Sequence, residues 1–353
     1  MKSELIQILD EKGKCDVSLI EGISDQEIMK MYRLMNLTRL WNDKALSLQR
    51  QGRMGTLASV RGQEASNIGM ALPLQSGDWF VPAFREYGAM FALGYSLRDQ
   101  YLYWGGDERG VNIPENMNMA PICITVGAHL CHAVGIAMAA KLKGEKSMAL
   151  SSSGDGSTSQ GDFHESLNMA AVYKAPVVFV IQNNHWAISV PFEKQTATAT
   201  IAEKAAAYAI EGARVDGNDV FAVYQTVKKY ADMARNEFRP ALIELVTYRM
   251  GDHTTADDAS RYRESELVRE WEKRDPIERL KKFIMAEKKW TAAKDKKMMD
   301  ELTAEVDTAV KEYENFDSPD PSSMFTYIYN EMPWHLKEQM AEFESGAEEG
   351  GER

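Results

Sequence analysis

The sequence predicts an α/β fold: a parallel sheet flanked by helices, with helical additions at both ends. Three observations carry this. Strand-like and helix-like segments alternate between about residues 147 and 247. One strand, residues 177–181, is apolar at every position, which suits the middle of a parallel sheet better than a half-exposed one. The flanking stretches, 1–50 and 264–315, show helical spacing instead.

Ser24 with Glu27 makes a capping box, and Ile28, Met31, Leu34, Met35 and Trp41 then recur at helical spacing. A glycine-richer stretch runs from Gly52 to Gly69. Residues 127–143 read as a buried helix, with Leu130, Val134, Met138 and Leu142 every four residues and Gly144 as its stop. Residues 147–152 form a short strand ending at Gly154-Asp155-Gly156. A helix over about 161–174 sets Phe163, Leu167 and Ala171 on one face. Pro176 opens the strand 177–181, which ends at Asn183-Asn184. A helix over about 200–210, a strand near 213–215, a helix near 220–236 and a strand at 241–247 complete the alternation. A loop rich in Asp, Thr and Arg covers 251–263, and a charged helical stretch follows.

These segments divide the 353 residues into an N-terminal helical arm (1–50), an α/β domain (51–262), a C-terminal helical region (263–340) and an acidic tail (341–353). With five glutamates and three glycines, the tail is expected to be disordered. A net charge of −12 argues against nucleic acid, because phosphate affinity comes from Lys and Arg. The ten basic residues within 273–297 read as a solvated face or a subunit contact. No apolar run approaches the ~18 residues that span a bilayer, so no membrane is expected. Without a secretory or transit pattern at the start, and with only Cys15, Cys123 and Cys131, the expectation is a cytoplasmic protein in a reducing compartment.

In open α/β sheets, ligands bind beyond the carboxyl ends of the parallel strands. Two such ends, Gly154-Asp155-Gly156 and Asn183-Asn184, have 26 residues between them, room for one helix and one strand. They can therefore be neighbours. Asp155 and Asn184 would then offer two hard oxygens at one point, which suits Mg²⁺. The glycines let backbone N–H groups approach a phosphate, and the helix that follows adds its dipole. The residues alone thus point to a Mg²⁺–diphosphate site. Neither the Walker lysine motif nor the dinucleotide fingerprint is present. Either turn alone is an ordinary loop; the two together at this spacing, each after a strand, are specific.

The same pair looks like the thiamine-diphosphate signature. Gly62-Gln63-Glu64-Ala65, Arg85-Glu86, Gly161-Asp162-Phe163, Ala187-Ile188-Ser189, Val215-Asp216-Gly217-Asn218-Asp219 and Tyr248-Arg249 with His253 narrow it. Over roughly residues 30–340, the chain resembles the alpha subunit of the decarboxylase component of 2-oxo acid dehydrogenase complexes. That resemblance implies a thiamine-diphosphate-binding fold with thiamine diphosphate and Mg²⁺ as cofactors. It puts Asp155, Asn184 and the carbonyl of Trp186 on the metal, and the N–H groups of Gly156 and Ser157 on the diphosphate. Arg85 and Arg249 match diphosphate-binding arginines, whose forked donors suit phosphate oxygens. Ile124 and Val126 match residues whose backbone holds the aminopyrimidine. His253 matches an active-site histidine that assists acyl transfer. Phe84 replaces a tyrosine that commonly touches the diphosphate, so that contact is lost; Trp186 replaces the usual Tyr or Phe.

The resemblance further implies decarboxylation of a 2-oxo acid, transfer of the acyl group to the lipoyl group of a partner acyltransferase, and an α₂β₂ heterotetramer. One thiamine-type domain fits within this length, so the missing half is expected on a beta subunit, and the lone chain is expected to be inactive. Residues 215–224 and 253–263 read most like branched-chain 2-oxo acid members, acting on 3-methyl-2-oxobutanoate. Residues 161–191 read equally like bacterial pyruvate members, and acetoin-cleaving relatives share the plan. Thr254 stands in place of a serine that is phosphorylated in eukaryotic relatives, in a loop expected to order on the cofactor. His129 is a candidate supporting residue. Cys123, His129, Cys131 and His132 fall on different helix faces and are not expected to hold a metal. A self-sufficient thiamine enzyme is disfavoured by length, and a non-catalytic scaffold by the presence of all five principal site residues.

Overall fold

The structure, a computed structural model, describes residues 4–349. Strand β1 (Leu5–Ile6) and a 3-10 turn precede the long helix α1 (Asp25–Arg50), whose start carries the Ser24/Glu27 capping box. Helix α2 (Glu64–Ala71), strand β2 (Trp79–Val81), and helices α3 (Tyr87–Ala92), α4 (Leu97–Gly105) and α5 (Ala128–Leu142) come next. The alternating core is β3 (Ala149–Gly154), α6 (Gly161–Tyr173), β4 (Val177–Asn183), a hairpin of β5 (Trp186–Ala187) and β6 (Val190–Pro191), β7 (Glu211–Asp216), α7 (Val220–Glu237) and β8 (Ala241–Val246). Helices α8 (Ser265–Glu272), α9 (Pro276–Glu287), α10 (Ala292–Glu314), α11 (Ser323–Thr326) and α12 (Trp334–Glu349) end the described chain.

Six strands form one parallel sheet in the order β1-β7-β8-β4-β3-β2. The apolar β4 is internal and buried along its whole length. Its side chains alternate between two cores. Val178 and Val180 join Met70, Phe80, Val223 and Val227 on the face covered by α2 and α7. Val177, Phe179 and Ile181 join Leu130, Val134, Phe163 and Leu167 on the face covered by α5 and α6. This two-sided cover is the parallel sheet flanked by helices that the alternation predicts.

Asp219 ties the start of the chain to this sheet. Its Oδ1 accepts the N–H groups of Phe221 and Ala222, capping α7, while its Oδ2 accepts those of Ile8 and Leu9 at 2.6 and 2.7 Å. The N-terminal segment is therefore not wholly helical: Leu5–Ile6 pairs with Arg214–Val215 at the sheet edge.

Three further expectations change. Leu142, the last residue of α5, is 85% exposed and lies outside the helix's buried set. Residues 202–208 wind as a 3-10 helix that ends at Ala209, a residue in the left-handed region. Helix α12 runs through 341–349 of the tail expected to be disordered, because Leu336, Met340 and Phe343 recur at helical spacing; residues 350–353 lie outside the described residues. The contacts divide the chain between Lys311 and Glu312, so the segments 1–50 and 263–311 group with the sheet and not as separate units. In the C-terminal unit the rings of Phe325 and Phe343 lie 6.3 Å apart. No helix among the described residues is long and apolar enough to cross a membrane.

Gly62 packs the turn before α2 against the exit of β8. Its φ is +95°, a Cβ there would overlap the Tyr248 carbonyl oxygen, and its own carbonyl accepts the Thr247 hydroxyl at 2.9 Å. Gly62→Ala should lower the unfolding free energy by about 2–3 kcal/mol, read by urea titration; an unchanged midpoint refutes the constraint.

Candidate active site

Parallel register brings the two motifs together. Gly154 pairs with Gln182 across β3 and β4, so Asp155 and Asn184 emerge side by side at the carboxyl ends of adjacent strands. Asp155 is buried; its Oδ1 accepts the Asn184 N–H at 3.3 Å and its Oδ2 accepts Gln195 Nε2 at 2.8 Å. Asn184 Oδ1 in turn accepts the Trp186 N–H at 3.3 Å, which starts the β5–β6 hairpin. The hairpin lies close over Gly156, where a Cβ would stand 2.9 Å from that of Ala187.

These elements wall an open cleft with about 830 Å³ of atom-free space, its solvent-filled mouth included. Phe84, Arg85, Val126, Asp155, Gly156, Ser157, Asn184, Trp186 and His253 line it. Ile124 and Arg249 do not: Ile124 is exposed beyond the rim, and Arg249 is buried behind the wall. Arg249 donates to the carbonyls of Trp186 (3.3 Å) and Ile188 (2.7 Å) and to the Tyr262 hydroxyl (2.9 Å). His129 does not line the cleft either. Its Nε2 lies 2.9 Å from the Ser152 carbonyl, which can only accept, so Nε2 carries the proton and the side chain supports β3 near its end.

The two sides of the cleft have opposite electrostatic characters. On one, burial pushes the Asp155 carboxyl up to about 6, despite hydrogen bonds from Gln195 and the backbone that favour its charged form. A buried carboxylate without a cation calls for one. Asn184 and Trp186 line the same cleft and carry an amide oxygen and a backbone carbonyl, which with the carboxylate make a hard-oxygen set suited to Mg²⁺. Among the described residues no three His, Cys, Asp or Glu side chains converge on a metal. On the other side, Arg85 is pulled down to about 10 by burial and by Arg249, and burial also lowers Arg249. His253 Nδ1 lies 3.2 Å from Arg85 Nη2 and 3.3 Å from Arg249 Nη1. Guanidinium nitrogens only donate, so Nδ1 accepts and the histidine proton sits on Nε2. Burial, then the two arginines, hold His253 down at about 4, so it is neutral at pH 7. Crowded, desolvated positive charge is what a diphosphate would relieve.

Sequence reasoning assigned no role to the cleft's inner wall. Gln63, Glu86 and Gln182 all line it. Glu86 accepts the Arg85 N–H (2.9 Å), the Ser152 hydroxyl (3.2 Å) and Gln182 Nε2 (2.9 Å), while Gln182 Oε1 accepts Asn67 Nδ2 at 3.1 Å. Gln63 Nε2 is buried without a partner, a free donor at the cleft. The signal was within reach: Gln63 and Glu86 sit inside quoted motifs, and Gln182 directly precedes Asn183-Asn184.

Sheet order, cleft position and charge layout together define an α/β enzyme that binds ligands at strand ends. Residues 32–322 match the family described as "Dehydrogenase E1 component", and the chain belongs to that family. It is an alpha subunit of a 2-oxo acid dehydrogenase E1 component, in a family that depends on thiamine diphosphate. It is 40% identical over 340 residues to the pyruvate dehydrogenase E1 component subunit alpha of Staphylococcus aureus strain Mu50, covering 96% of this chain and 92% of that one. The protein of the same name from Staphylococcus epidermidis strain RP62A is 39% identical with the same coverage.

Glu86 gives a pH test. Burial raises its carboxyl from 4.5 to about 7, so between those values the folded chain binds more protons than the unfolded one. Its contribution to stability is full below pH 4.5 and is lost as pH rises through 7. In Glu86→Gln the loss of thermal midpoint between pH 5 and pH 8 should shrink, by an amount equivalent to no more than about 3 kcal/mol. An undiminished loss would show that Glu86 does not titrate there.

Proposed function

We propose that this chain is the alpha subunit of a pyruvate dehydrogenase, acting with a beta subunit in an α₂β₂ heterotetramer and passing an acetyl group to the lipoyl group of an acyltransferase. The observation that carries the catalytic reading is the placement of Asp155 and Asn184 at adjoining strand ends, facing Arg85 and His253 across one cleft. Support for pyruvate is the name shared by relatives at about 40% identity over nearly the whole chain. The local likeness of 215–224 and 253–263 to branched-chain members is confined to short stretches and is outweighed by them.

In this reading, bound thiamine diphosphate supplies a nucleophilic carbon and an electron sink for decarboxylation. The chain's residues bind and orient it. Asp155, Asn184 and the Trp186 carbonyl hold Mg²⁺, and the N–H groups of Gly156 and Ser157 meet the diphosphate. Arg85 donates to the diphosphate directly; Arg249 joins it by exchanging its present carbonyl partners for phosphate oxygens. Phe84 stacks beside Arg85, whose guanidinium carbon lies 5.5 Å from the ring, but offers no hydroxyl. Backbone groups of Ile124 and Val126 hold the aminopyrimidine. His253 keeps a donor proton on Nε2 for acyl transfer. The carboxylate that activates the aminopyrimidine belongs to the beta subunit; among the described residues every element after Val246 is helical, so none there adds a second parallel sheet.

Reconstituted with a beta-type chain, the protein should decarboxylate pyruvate faster than 3-methyl-2-oxobutanoate, and the lone chain should do neither. A preference for the branched acid would reverse the substrate assignment. His253→Ala should cut turnover by about 10²- to 10⁴-fold while the thiamine diphosphate Kd, measured by calorimetry, changes little; equal losses of both would remove the acyl-transfer role.

A further inference from the structure

We propose that Gln195 is a positioning residue for the cation: its amide locks the Asp155 carboxylate and the β5–β6 hairpin into the one arrangement that leaves their oxygens free for a metal. The inference rests on the Mg²⁺ reading above and extends it to a residue outside the cleft lining.

Gln195 ends the short turn after the hairpin, where its N–H donates to the Phe192 carbonyl at 2.9 Å. Its Nε2 donates to Asp155 Oδ2 at 2.8 Å and to the Val190 carbonyl at 3.2 Å. Both partners accept only, so the amide cannot be turned over without setting Oε1 against two oxygens. Oε1 itself is buried with no partner. The side chain is thus held by its nitrogen alone, between a carboxylate and a hairpin carbonyl.

The consequence for Asp155 is geometric. Each carboxylate oxygen has room for about two hydrogen-bond or metal partners. Oδ1 spends one on the Asn184 N–H and Oδ2 one on Gln195, so each keeps one free. Without Gln195 the carboxylate plane is held from one side only and can swing. The hairpin is affected in the same way. Asn184 Oδ1 accepts the Trp186 N–H on the outgoing strand, and Gln195 holds the Val190 carbonyl on the returning strand. Mg²⁺ tolerates little departure from octahedral geometry, so loosening the Asp155 plane and the Trp186 carbonyl together weakens the site without removing a ligand.

The test is Mg²⁺ titration of the assembled α/β complex at saturating thiamine diphosphate, read by tryptophan fluorescence and by calorimetry. Gln195→Met keeps the length and removes the donor. The half-saturating Mg²⁺ concentration should rise by about 10- to 100-fold, kcat should return to near the parent value at high Mg²⁺, and the thermal midpoint should stay within about 2 °C. An unchanged Mg²⁺ requirement overturns the inference, as does a kcat loss that Mg²⁺ fails to restore. Gln195→Leu repeats the measurement if the Met variant does not assemble; failure of both assigns Gln195 to folding and also overturns it. Asp155→Asn separates the two levels. If it retains the parent Mg²⁺ dependence, the metal reading itself fails; if it loses Mg²⁺ dependence while Gln195→Met does not, only the Gln195 inference falls.

Discussion

One buried carboxylate organises this molecule's cleft. Asp155 leaves the end of β3 into a place with little water, where a charge is costly unless something positive or proton-donating meets it. The chain meets part of that need with an amide from Gln195 and a backbone N–H from Asn184; in the proposed reading a cation meets the remainder. Parallel pairing of β3 with β4 makes this possible, because it sets residues 29 apart in sequence at the same edge. Beneath them, Glu86, Ser152, Gln182 and Asn67 form a closed set of hydrogen bonds that fixes the ends of both strands. The strand ends that carry Asp155 and Asn184 are therefore as stiff as the sheet itself.

The facing wall shows the complementary arrangement. Arg85 and Arg249 both lie within hydrogen-bond reach of His253 Nδ1. The histidine stays neutral, which limits the repulsion to two guanidinium groups. Carbonyl oxygens of the hairpin, together with the hydroxyl of Tyr262, occupy Arg249 in the meantime. Asp257 accepts both that hydroxyl and the His253 N–H, so the loop after β8 closes over the same cluster. An arriving diphosphate would offer stronger acceptors than these neutral oxygens, so binding at this wall is an exchange of partners.

How much of this was legible in the sequence follows from length scales. β4 could be placed in the sheet's interior because the first five of its seven buried positions form an unbroken apolar run. The capping box at Ser24 and the strand-end motifs were legible because each is a local pattern with a fixed spacing. β1, β2 and the hairpin were not: strands of two or three residues carry no period, and they exist only because a partner strand supplies their hydrogen bonds. Leu142 fits the helical repeat yet faces solvent, since periodicity says which side of a helix is apolar and not where its neighbour ends. Gln195 was invisible for another reason. Nothing in a single glutamine after a turn announces that its amide reaches a carboxylate 40 residues earlier.

Asp219 has a consequence for how the molecule is made. One of its oxygens caps α7 and the other holds Ile8 and Leu9, a link across 210 residues. At the ribosome, Leu5–Ile6 is made well before its anchor exists. At ordinary elongation rates roughly 10–40 s pass before residue 219 is added. Throughout that interval Leu5 and Ile6 have neither the edge of β7 nor the carboxylate to dock on, so this strand waits for a partner made some 210 residues later.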